Sequence, residues 1–104
     1  MATAYVVLGN ATPGAAASST LVTGSTNGSI VSSFSACNRG SNNDTIRVSI
    51  TKSGGSAYYL FYGYTLPANA SLVEQPGWTL ASGDVLTVYS TTGNTDFIAT
   101  GTTL

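Results

Sequence analysis

Apolar residues along this chain return at every second position, in short runs broken by glycine, asparagine, serine and proline. That is the strand period, and no stretch holds a helical one for a useful length. The cleanest case is residues 45–52. There Ile46, Val48 and Ile50 alternate with Thr45, Arg47, Ser49 and Thr51, which predicts a strand with one face on a core and the other in water. Residues 29–37 predict a longer strand, with Ile30, Phe34 and Ala36 on one face and Val31 and Cys37 on the other. Residues 58–66 read Tyr-Tyr-Leu-Phe-Tyr-Gly-Tyr-Thr-Leu. Strict alternation sets Tyr58, Leu60, Tyr62, Tyr64 and Leu66 on one face and Tyr59 and Phe61 on the other, so both faces are apolar or aromatic.

Shorter strands are predicted at residues 4–8, 20–23, 71–75, 78–80, 85–89 and 96–100. Turns rich in Gly, Pro and Asn separate them, and the Gly83-Asp84 pair leads straight into Val85. Some seven to nine short strands at this spacing point to an all-β fold, an antiparallel β-sandwich of jelly-roll or Ig-like type. Residues 10–20 are mostly small and cannot bury much apolar surface. Residues 1–19 therefore read as a strand on an extended N-terminal arm, and residues 20–104 as the sandwich domain.

The composition narrows what such a domain does. With 104 residues and one cysteine, the chain has a thin core and no intrachain disulfide to staple it. Without histidine or a second thiol it lacks a zinc set, so no metal or cofactor is expected. Such a domain gains from neighbours. Charged residues make up 7% of the chain, against about a quarter in typical proteins. Either the surface is unusually poor in charge, or much of it faces other protein. Three basic residues do not make a phosphate-binding stripe, which argues against nucleic acid as a partner. No segment is long and apolar enough to span a bilayer as a helix, so no membrane partner is expected. The first residues lack the basic region of a secretory signal, and export by that route is not expected.

Several runs are more particular. They are Tyr5-Val6-Val7-Leu8-Gly9, Thr20-Leu21-Val22-Thr23, Ile30-Val31-Ser32-Ser33, Cys37-Asn38-Arg39-Gly40, Thr45-Ile46-Arg47-Val48, the turn Leu66-Pro67-Ala68-Asn69, and the stretch from Leu80 to Tyr89. Together they resemble a family of small virion structural proteins of tailed bacteriophages, including phages of cyanobacteria and marine bacteria. The resemblance implies a β-sandwich seated on a phage particle and made in the host bacterial cytoplasm. It implies a head decoration or cement protein, or alternatively a neck, tail or fibre component. The partners implied are the major capsid protein or other virion proteins, and no catalytic residue is carried over. The chain departs from the pattern at Gly24-Ser25-Thr26-Asn27-Gly28, where relatives often have a Pro-Ala-Gly type of turn, and in the short turn at residues 53–56.

The chemistry-bearing side chains give little for an enzyme. Nucleophilic catalysis needs a base beside the nucleophile, and the chain has no histidine and one lysine, Lys52. Two of Asp44, Glu74, Asp84 and Asp96 would have to converge for glycosidase chemistry, whereas Asp44, Asp84 and Asp96 each fit a turn. Asn42-Asn43-Asp44 and Asn94-Thr95-Asp96 offer oxygen donors for calcium but only one carboxylate each, and turn chemistry is favoured. Cys37 is expected to be a buried small hydrophobe. The candidate residues are therefore assembly contacts. Tyr5 and Val7 would act from the arm. Arg39 and Arg47 would either bridge to Asp44 or Asp84, or meet an acidic neighbour. Tyr59, Phe61 and Trp78 would pack on another subunit or on the second sheet, with stacking on sugar rings as the competing use. The low charge and the two-faced tyrosine strand predict a homo-oligomer, a dimer or trimer.

Overall fold

The computed structural model describes residues 5–104, and the part of the expected arm in residues 1–4 lies outside them. Nine strands follow in order: β1 (Val6–Ala11), β2 (Ala17–Thr23), β3 (Ser29–Asn38), β4 (Asp44–Thr51), β5 (Ala57–Leu66), β6 (Ser71–Glu74), β7 (Trp78–Leu80), β8 (Val85–Ser90) and β9 (Thr95–Thr103). They form two antiparallel sheets, so the fold is a β-sandwich. The first sheet runs β1-β9-β3, and β6 and β7 share the far side of β3. The second runs β2-β8-β4-β5.

The inner faces are built from the alternating residues. Val31, Phe34, Ala36, Phe97 and Ala99 of the first sheet meet Ile46, Val48, Leu86 and Val88 of the second, all fully buried. Phe34 is the hub, with ring centroids 6.1 Å from Phe97, 5.3 Å from Trp78 and 6.5 Å from Phe61. Aromatic contacts at these separations add specific attraction to the area they bury.

Strict alternation fails on β3 and β5, and bulges are the reason. On β3 the register with β9 slips between Val31 and Ser33. The extra residue turns Val31 inward with Phe34 and Ala36 and moves Ile30 off their face, which corrects the expected face assignment. Cys37 is also corrected: it is exposed on the outer side of the first sheet.

The expected arm, from Val6 onward, lies on the sandwich itself. β1 pairs with β9, and Ala17–Ser19 already belongs to β2. Residues 12–16 carry the chain from one sheet to the other. That side is sealed, because β1 presses on β2. A methyl group built on Gly9 would lie 1.8 Å from the carbonyl oxygen of Leu21, so only glycine permits the approach. The opposite side of the sandwich ends in β5 and β6 and stays open.

Candidate functional site

β5 carries the most unusual surface. Its register with β4 slips twice, between Ile46 and Arg47 and between Val48 and Ser49, which leaves Gly63 and Leu60 as extra residues. Gly63 has φ +70, a conformation that favours glycine. Each bulge resets the alternation. Tyr59 and Tyr62, three apart in sequence, therefore share the outer face opposite Ser49 and Arg47. Leu66 is buried, opposite the buried Asp44. The expected grouping of Tyr62 with Tyr58, Leu60 and Tyr64 is thus corrected. Tyr58 is 63% exposed, Tyr59 53%, Leu60 36%, Tyr62 65% and Tyr64 39%, on a strand whose outer edge has no partner among the described residues.

Arg47 sits one strand in from this edge. Tyr89 of β8, Arg47 of β4 and Tyr62 of β5 lie opposite one another across three neighbouring strands. The guanidinium carbon is 4.6 Å from the centre of the Tyr62 ring and 4.7 Å from that of Tyr89. Cation–π contacts of this kind contribute about 0.5–1 kcal/mol each at partly exposed sites. The Nε of Arg47 is shut off from water and has no hydrogen-bond partner. Ser18, Ser49, Thr51 and Ala57 extend the surface into a shallow trough of about 210 Å³ bounded by Tyr59 and Tyr89.

The other candidate residues fall elsewhere. Arg39 forms an intramolecular ion pair, with Asp96 at 2.7 Å in place of the expected Asp44 or Asp84. Arg47 pairs with neither of those acids. Phe61 and Trp78 are turned inward, half-buried against the core. Tyr5 and Val7 are exposed at the start of β1, far along the first sheet from β5. Residue type alone marked Arg47 and Tyr59. Tyr58, Tyr62, Tyr64 and Tyr89 were not singled out as contacts, although Gly63 within a tyrosine run is a sequence sign of a bulge.

The carboxylates hold the fold. Asp44 is fully buried and accepts hydrogen bonds from the hydroxyls of Ser90 and Thr95 and from the backbone N–H groups of Thr91 and Thr92, at 3.0 and 3.1 Å. Burial pushes its pKa up, but these bonds outweigh that and hold the carboxyl below its usual value. It thereby fastens the β8–β9 turn to the start of β4. Asp84, nearly buried at the other end, accepts from Lys52 Nζ at 2.5 Å and from the N–H groups of Ser53 and Ala81. The Lys52 ammonium is the main cause that lowers its pKa. The Thr12 hydroxyl, with Arg39 beside it, lowers that of Asp96.

Asn38, fully buried, explains part of the Cys37-Asn38-Arg39-Gly40 run. Its Nδ2 donates to the carbonyls of Asn42, Leu66 and Pro67, and its Oδ1 accepts from Gly40 N–H. These bonds tie two loops to the end of β3. Among the described residues no three metal-ligating side chains of His, Cys, Asp or Glu come together. The chain matches no protein-family model, no curated protein and no solved structure.

Proposed function

We propose that the chain is a non-enzymatic structural subunit that works by packing against other protein. In its most specific form it is a phage virion protein of the decoration or cement type, bound to the major capsid protein and stabilising the head shell. A neck, tail or fibre position in the same particle is the alternative. The observation that carries the packing reading is β5, where five large apolar side chains are exposed along one unpaired edge. An open edge of this kind is a liability in a free monomer and is normally blunted or covered. The virion assignment rests on the resemblance of the sequence runs.

The carboxylates support the non-enzymatic side of the reading, since Asp44, Asp84 and Asp96 are each engaged in turn or ion-pair bonds. Sugar recognition favours open ring faces. Tyr59 and Tyr62 instead meet edge to face at 82°, with centroids 4.8 Å apart. A shell subunit needs only modest affinity per contact, because many copies on one particle bind together. Immunogold labelling of particles from the producing culture, with an antibody to this chain, tests the reading. Label distributed over the heads is expected. Label at the neck or tail selects the alternative, and particles without label refute a virion role.

A further inference from the structure

We infer that the occupant of the β5 edge is β5 of a second copy of this chain, related by a two-fold axis. The inference rests on the packing reading above and names its first partner. Three observations carry it.

The first is charge. β5 contains no charged residue and no proline from Ala57 to Leu66. A strand laid against its own copy therefore opposes no like charges, which a two-fold contact requires, because each residue meets the same patch again. The neighbouring free edge differs. On β6, Glu74 lies opposite the buried Phe34 and so stands on the inner side of the first sheet, an inward charge of the kind that blocks edge pairing. One edge of the open side is guarded and the other is not.

The second is area. With about 150–250 Å² for a fully buried tyrosine, the exposed parts of Tyr58, Tyr59, Leu60, Tyr62 and Tyr64 amount to about 500 Å² per copy. A symmetric pair then buries about 1,000 Å², the lower end for a specific contact. The third is shape. The two bulges turn aromatic side chains out on both faces of β5. They make a ridge better suited to interlocking rings than to a flat hydrogen-bonded ladder. The contact is therefore weak and reversible, in the micromolar range.

Sedimentation equilibrium on the full chain, from about 1 µM to 1 mM, tests this. The mass should rise from one chain to two with concentration, and Tyr62→Lys should raise the dissociation constant at least tenfold while leaving the melting temperature nearly unchanged. As a second measure, cysteines placed singly at Tyr58, Leu60 and Tyr62 in a Cys37→Ser background should give an oxidised dimer at one or more positions. A chain that stays monomeric throughout overturns the inference. So does a dimer that is indifferent to Tyr62→Lys and forms no cross-link from β5. A monomer that still decorates particles would overturn the self-pairing alone. Failure of both would remove the packing reading as well.

Discussion

Replacing Asp44 by alanine is the sharpest test of what joins the two ends of β4, β8 and β9. The carboxylate accepts from Ser90 Oγ and Thr95 Oγ1 and from the N–H groups of Thr91 and Thr92, within a site closed to water. A hydrogen bond to a charged group contributes about 1.5–3 kcal/mol, and a buried donor left unmatched costs about 1–3 kcal/mol. The contributions do not add, since removing one group relaxes the rest, and the loss expected for Asp44→Ala is about 3–5 kcal/mol. A domain of this size has about 5–15 kcal/mol in total, so the variant should melt more than about 12 °C lower. Urea denaturation with an unchanged slope measures the difference. Thr95→Val removes one partner of the same carboxylate. The double variant should therefore fall short of the summed single losses by about 1 kcal/mol or more. If Asp44→Ala costs less than about 1 kcal/mol, or the two losses simply add, the buried carboxylate is not the fastening described.

Acid should act through the same groups. Asp44, Asp84 and Asp96 have pKa values lowered by folding. The unfolded chain therefore binds more protons than the folded one as pH falls through the carboxylate range. The stability they confer is complete above about pH 5 and is lost below about pH 4. Melting curves from neutral pH downward should stay level and then fall, and a melting point that rises in acid contradicts the assignment. At Arg47, substitution by Met should change the unfolding free energy by less than about 1 kcal/mol, because the cation has no counter-ion to lose and the tyrosines keep an apolar neighbour. A loss of several kcal/mol would show that the guanidinium has a structural partner.

The sandwich was legible because β4 and β8 alternate cleanly, and Ile46, Val48, Leu86 and Val88 point to the core as the pattern requires. Faces were misread where one extra residue entered a strand, at Ser32 on β3 and at Leu60 and Gly63 on β5. A bulge leaves only a weak local trace, yet it reverses every side chain beyond it. The arm was misjudged for another reason. Residues 6–11 lack a continuous apolar face, but their long-range pairing with β9 and the contact of Gly9 with Leu21 hold them in place. Of the candidate contacts, Tyr59 and Arg47 came together, while Phe61 and Trp78 went inward to Phe34. Residue type marks an aromatic as adhesive. Only the register decides whether it adheres to its own core or to another chain.

Hydroxyl-radical footprinting of the tyrosines, on the free chain at low concentration and on the chain in its assembled fraction, tests the central claim most directly. Tyr58, Tyr59 and Tyr62, all more than half exposed in the free chain, should lose at least several-fold in labelling on assembly, with Tyr5 as the internal reference on the far edge. Equal labelling of the β5 tyrosines in both states would contradict an assembly role for this strand.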